Sequence, residues 1–449
     1  MDSVGRSGYE PDEFEPIAVA PGVVFGYLPE SKWKTLSINV FCKIPVNEEI
    51  FTSLALVPRL NTNGTSTLPS IQHVARFLEG IYGGRLGSDA SKVGPVQVIR
   101  FTVEVPSPKY LSSKRFGEVP GSIEFKMWSF LWDIVTKPYL ENRAYPAKMF
   151  AIEREEHRRD IMGLINNPPS YAVVRLIEEI SRGDHRGLPP WGSLERLESV
   201  EPAGTWDVWT ETLSECPISI YAIGEGADEI GKVISENGLT FPRGRTSEIV
   251  DISKELTPPL MPEGVVRVEE GFPGHQTVLT MGFAAGVTPK DPEFPALLFL
   301  DGLLGGFPHS KIFSVVREKE SLAYFADTIV DAWRGMIITI TGISDNEKDR
   351  VQDLIVSQMD VLKRGGISDE EMDNTRAGLI RRLRTEADYQ GSIVNRMLNH
   401  EILGGARTGE EIVAGVSKVT KDDVVRLANQ TELKAVYVLR AEGDGQIVA

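Results

Sequence analysis

One order of strand-like and helix-like segments runs twice along the 449 residues, and that repetition narrows the fold more than any single motif. In the first half, rough alternation of apolar and polar residues predicts strands at 17–28, 33–44 and 96–105. Helical spacing predicts helices at 49–60 and 69–82, the second with Ile71, Val74, Phe77, Leu78 and Ile81 in one apolar stripe, and long amphipathic helices at 123–135 and 147–165. After a stretch where Pro242, Pro258, Pro259 and Pro262 interrupt any periodicity, the order recurs: strands at 265–270 and 276–286, helices at 294–304 and 310–318, strands at 323–330 and 336–343. Three further helical segments and a last strand at 434–439 complete the chain. The halves also end alike, with offsets of 219 from Val200 to Val419 and 216 from Tyr221 to Tyr437. We therefore expect a duplicated domain of about 220 residues, divided as 1–236, a linker at 237–263, and 264–449. Strands and helices in blocks favour an α+β class, each domain a mainly antiparallel sheet with helices packed on one face.

Net charge is −16, from 48 Lys and Arg against 64 Asp and Glu, and the basic residues gather in no run that could track phosphates. Nucleic acid is not an expected partner. No apolar stretch approaches the ~20 residues needed to span a bilayer, and the opening Met1-Asp2-Ser3-Val4-Gly5-Arg6 lacks a signal-peptide pattern, so no membrane association and a cytoplasmic location are expected. The two cysteines, Cys42 and Cys216, each sit in a strand-like run and read as small buried apolar groups.

The most specific stretch runs from Leu304 to Tyr324: Leu304-Gly305-Gly306-Phe307-Pro308-His309-Ser310-Lys311-Ile312-Phe313, then Arg317-Glu318-Lys319 and Ala323-Tyr324. The glycine pair suggests a sharp turn before a helix that Ile312, Phe313 and Val316 fix on the sheet. This stretch resembles the second-domain signature of the pitrilysin and mitochondrial-processing-peptidase family of zinc peptidases. Tyr82-Gly83-Gly84-Arg85-Leu86 and Arg154-Glu155-Glu156-His157-Arg158-Arg159 also match, and the resemblance extends over residues 17–439. Within the family the chain most resembles bacterial proteins associated with elongation-factor P aminopentanol modification. The resemblance implies that Arg317 and Tyr324, with Gly305 and Gly306 beneath them, contact a substrate backbone near the scissile bond, where a guanidinium and a phenol would steady a developing oxyanion. Read from the residues alone, Arg317 could equally cap a helix C-terminus and Tyr324 lie hydrogen-bonded in the core.

Active members of that family carry H-x-x-E-H on the first helix of the first domain, two His for zinc and a Glu for its water, with a further Glu on a later helix. Matching the family's Gly-Thr to Gly64-Thr65 places Ala55 and Arg59 at the histidine positions and Pro58 at the general base. None of the six histidines has another at metal-binding helical spacing. Glu153, His157 and Asp160 could share one helix face as an unorthodox set, and Arg59 could pair with Glu153, Glu155 or Glu156.

The resemblance with these losses implies a non-catalytic subunit, with no metal or cofactor of its own, that pairs with a homologous catalytic chain bearing H-x-x-E-H and zinc. It would hold a peptide, a basic one given the acidic chain, and supply Arg317 and Tyr324 across the interface. A non-proteolytic scaffold of the same fold and a homodimeric peptide-binding protein are the alternatives.

Overall fold

The computed structural model describes residues 14, 16–110, 122–246, 248–257 and 261–443. The opening hexapeptide and the linker residues Pro258 and Pro259 lie outside the described residues. In the first half the elements are β1 (Ile17–Ala20), β2 (Val23–Leu28), β3 (Thr35–Pro45), α1 (Phe51–Thr62), α2 (Ile71–Gly80), β4 (Arg85–Val93), β5 (Val96–Pro106), α3 (Ile123–Thr136), α4 (Ala147–Gly163), α5 (Pro168–Ile180), α6 (Leu194–Leu197), α7 (Pro202–Glu215), β6 (Ile218–Ile223) and α8 (Ala227–Asn237). The second half has β7 (Val266–Phe272), β8 (Thr277–Ala284), α9 (Phe294–Asp301), β9 (Ala323–Asp331), β10 (Met336–Ile343), α10 (Lys348–Lys363), α11 (Asp369–Glu386), α12 (Gln390–Leu403), α13 (Gly409–Lys418), α14 (Lys421–Gln430) and β11 (Glu432–Ala441).

The sheets run β1-β2-β6-β3-β5-β4 and β7-β11-β8-β10-β9. Apart from β1 they superpose in order, each with one parallel pair, β2 with β6 and β7 with β11, in an otherwise antiparallel ladder. The duplication is thus visible in the topology. The matched Val200 follows α6 and precedes α7, as Val419 lies between α13 and α14, and Tyr221 and Tyr437 sit on the equivalent strands β6 and β11.

Several elements differ from expectation. The predicted strand at 17–28 is broken in two by the turn at Pro21-Gly22, where Gly22 has φ +63°. Five helices, not three, follow β10. Thr408 and Thr420 each form a capping box, with Glu411 and Asp423, that starts a new helix and so cuts the apolar periodicity. Strand β4 is not among the expected strands, because its Gly-Ser-Asp-Ala-Ser-Lys run is poor in strand formers, as suits an edge with half-exposed side chains. α5, α7 and α8 are likewise additions to the expected helices.

Helices of each half cover one face of that half's sheet, and the opposite face is covered by a helix from the other half. α5 lays Ala172, Leu176 and Ile180 on Val278, Met336, Ile338 and Tyr437 of the second sheet. Reciprocally, α12 lays Ile393, Val394, Met397 and Leu398 on Phe41, Val96, Val98 and Tyr221 of the first. Each Val, Leu, Ile, Phe or Met among them contributes about 1.5–3 kcal/mol when fully buried. A carboxylate sits at each seam. Glu401 accepts from Tyr221 at 2.5 Å, from Ser219 at 2.6 Å and from Lys43 at 2.8 Å. Glu270 accepts from Tyr171 at 2.8 Å, from Tyr437 at 2.8 Å and from Arg175 at 3.0 Å.

Candidate functional site

α1 carries a proline in its middle, so Pro58 offers no N–H to the preceding turn; Ala55, Pro58 and Arg59 fall on one face because they are three and four residues apart. That face meets α4 and the edge strand β4 in a pocket of about 270 Å³, lined also by Ser88, Asp89, His157, Asp160 and Trp191. Ala55 and Pro58 are buried and Arg59 is partly exposed.

Arg59 forms an ion pair with Asp160. It does not pair with the glutamates expected from the sequence: Glu153 accepts from Asn63 Nδ2 at 2.9 Å, Glu155 is held by Arg158 and Arg159, and Glu156 by Arg159. Asp160 lies a turn further along α4, and the crossing of α1 over α4 selects it.

His157 is buried, and its Nε2 stands 2.9 Å from the Trp191 carbonyl, which makes that nitrogen the N–H donor. Burial foremost lowers its pKa, Arg59 adds to the effect, and the Trp191 bond opposes it, so the ring is neutral near pH 7. Glu153, His157 and Asp160 are therefore engaged with three separate partners, and among the described residues no group of three or more His, Cys, Asp or Glu side chains is placed to hold a metal ion. The zinc of the family does not fit these residues: a methyl group, a proline ring and a guanidinium supply no donor, and the guanidinium repels a cation.

The loop bearing Trp191 was not singled out in the sequence, although Leu188-Pro189-Pro190-Trp191-Gly192 is a rigid, turn-prone run. Lys92, at the end of β4, fastens it by donating to the carbonyls of Arg186 at 2.9 Å and Leu188 at 2.5 Å. Burial pulls the Lys92 pKa down to about 8. On the far side the same loop walls a pocket between the halves, about 350 Å³, where the ends of β4 and β9 approach each other.

In the second half, Gly305 and Gly306 lie inside a π-helical segment, Gly302–Gly306, and neither has a positive φ. The turn expected of them comes just after, at Phe307–Ser310, where the Ser310 N–H donates to the Phe307 carbonyl at 2.9 Å. Space is what demands glycine: a Cβ at Gly305 would collide with Thr328 of β9, and one at Gly306 would stand 3.0 Å from Asp301 Oδ2. Arg317 projects from a second π-helical segment, Phe313–Lys319, anchored by buried Val316. Its guanidinium lies 4.6 Å from the centre of the Phe313 ring and is exposed. The carbonyls of Val315 and Val316 within that segment accept from the backbone N–H groups of Glu320 and Leu322, not from Arg317. Tyr324, on edge strand β9, is 80% exposed rather than in the core, and among the described residues its hydroxyl has no hydrogen-bond partner.

Residues 221–379 match the family described as "Peptidase M16 inactive domain". A "Probable inactive metalloprotease YmfF" of Bacillus subtilis is 24% identical over 420 residues, covering 93% of this chain and 96% of its own. Over residues 221–379 the chain thus matches an M16 peptidase domain, and along most of its length it is similar to a relative described as probably inactive. The M16 relationship extends to the "Mitochondrial-processing peptidase subunit beta" of Saccharomyces cerevisiae, 24% identical over 71% of this chain and 70% of that one. A crystal structure of a conserved protein from Enterococcus faecalis shares the M16 fold, with a TM-score of 0.85 at 23% identity over 96% of this chain and 99% of that one. No helix among the described residues is long and apolar enough to cross a membrane.

Proposed function

We propose that this chain is the non-catalytic subunit of a heterodimeric zinc metallopeptidase, pairing in the cytoplasm with a homologous H-x-x-E-H chain whose zinc cleaves the peptide. The observation that carries the reading is the contrast between the halves. The first half has filled its metal positions with Ala55, Pro58 and Arg59, and Arg59 is tied to Asp160. The second half presents Arg317 and Tyr324 outward, an arrangement its own packing does not require. In this reading Arg317 and Tyr324 reach the partner's site and steady the carbonyl oxygen as charge develops on it. The unpaired edge of β4, which runs past the Arg59 pocket, offers backbone groups to an extended peptide.

Tagged chain expressed in its own cell should bring down an H-x-x-E-H homologue, and the reconstituted pair should hydrolyse peptides in a chelator-sensitive way. Arg317→Ala should lower kcat of that pair about 100-fold, the scale of losing one oxyanion donor, with the pair still assembled. Unchanged activity in an intact pair would leave the scaffold as the reading, and capture of only a second copy of the chain would favour the homodimer.

A further inference from the structure

The turn between β4 and β5 and the turn between β9 and β10 hold equivalent places in the two sheets, and in the folded chain they meet. Gly94, with φ +57°, packs so closely on the second turn that a Cβ there would stand 2.8 Å from Trp333 Cγ. Beside this contact lies the pocket of about 350 Å³ between the halves, within the range of about 300–1,000 Å³ usual for small-ligand sites. Val174, Ile177, Ile329, Ile338 and Leu403 give it apolar walls, and among the described residues its charged lining consists of Lys92, Asp331 and Arg334.

In that lining the cations outnumber the carboxylate. Asp331 is already engaged by Arg334, which donates to it from Nη1 at 2.7 Å and from its backbone N–H at 3.1 Å. The other carboxylates that act on Lys92 are held by arginines as well, Asp184 by Arg186 at 2.7 Å and Glu178 by Arg175 at 2.5 Å. Lys92 spends two of its three N–H bonds on the loop carbonyls of Arg186 and Leu188 and, among the described residues, enters no ion pair. Its charge is left unanswered. Two further donors lack acceptors: Trp333 Nε1 and Arg334 Nε are buried without a hydrogen-bond partner, on side chains 4% and 5% exposed. Buried donors left unmet are destabilising, so this group of N–H bonds calls for an acceptor from outside the chain.

We propose that this pocket binds a carboxylate carried on a branched apolar body, the group that a peptide ending in Leu, Ile or Val presents at its C-terminus and that a free branched acid also carries. The carboxylate sits toward Lys92, Trp333 and Arg334, and the body rests on Ile177, Ile329 and Leu403. One net positive charge suits a monoanion, and the apolar walls oppose a strongly hydrated phosphate. The site needs only this chain and does not depend on the heterodimer reading. Burial, with the charge of Arg334 beside it, brings the Lys92 ammonium to about 8, and an anion alongside would raise it again. Binding at pH 8 should therefore take up about half a proton, binding at pH 6 none, and affinity should fall as pH rises above 8.

The full chain is titrated by calorimetry with N-acetyl-leucine, N-acetyl-leucine amide, isocaproate and acetate, in two buffers of different ionisation heat. The expected result is a single site for the two acids with a branched body, the stated proton uptake, and binding of the amide and of acetate weaker by about tenfold or more. K92Q, which keeps a donor for the loop but removes the charge, should bind about tenfold more weakly and without proton uptake. W333F, which keeps the ring and removes the N–H, should also bind more weakly. Tighter binding of N-acetyl-leucine identifies a peptide end as the source, tighter binding of isocaproate a free acid. Amide bound as well as acid, acetate bound as well as isocaproate, or wild-type affinity in either variant would overturn the proposal. Where circular dichroism shows that a variant does not fold, the comparison of acid with amide on the wild type decides alone.

Discussion

At the scale of residues, Pro58 and Asp301 make opposite demands on their surroundings. Pro58 interrupts α1 at a buried position and withholds one backbone donor from it. Pro58→Ala restores that donor, and we expect a rise in unfolding free energy of about 1 kcal/mol, read as a higher urea midpoint at unchanged slope. No peptidase activity should accompany it, because Ala55 and Arg59 still offer nothing to a metal. Asp301, beneath Gly306, is buried with one carboxyl oxygen unpartnered, and burial pushes its pKa up to about 6. The folded chain therefore keeps a proton there that the unfolded chain releases near pH 4. Stability from this group is full below that pH and is lost as pH rises through about 6. Asp301→Asn should flatten that fall and raise stability at pH 8, on the order of 2–3 kcal/mol, measured by denaturation across pH.

At the scale of elements, the seams offer the sharpest test. Lys43 and Glu401 are both largely buried where α12 meets the first sheet. Lys43→Met leaves Glu401 with only hydroxyl donors and should cost about 3 kcal/mol, whereas Lys43→Met with Glu401→Gln should cost markedly less. Such pairings are also what local sequence does not specify. The strand Met336–Ile343 was legible to its end residues, because a continuous apolar run bounded by turns leaves few alternatives. The apolar stripe of α5 is just as regular, but a stripe does not say which sheet it faces, and here it faces the sheet of the other half. At the pocket, three- and four-residue spacing told which side chains of α1 share a face. It could not tell that Asp160, rather than a glutamate one or two turns earlier, would answer Arg59, since that depends on how two helices cross. The glycine pair was found by its spacing, but its cause, Thr328 and Asp301 crowding in from elsewhere, lies outside the local chain.

At the scale of the whole molecule, the exchange of α5 and α12 makes each half complete only in the presence of the other. Protease cleavage between α8 and β7 should leave the two pieces together in gel filtration without denaturant, and the uncut chain should melt in one transition by both circular dichroism and tryptophan fluorescence. Separate elution of the nicked pieces, or two resolved transitions, would show the halves to be independent. During synthesis the same exchange imposes an order of events. The outer face of the first sheet, with Phe41, Val98 and Tyr221, stays wet until Leu403 has left the ribosome. From the completion of β6 to the completion of α12 the nascent chain therefore carries a sticky apolar surface, one that a chaperone would have to shield, and a message truncated between those points would yield an aggregating product rather than a working half.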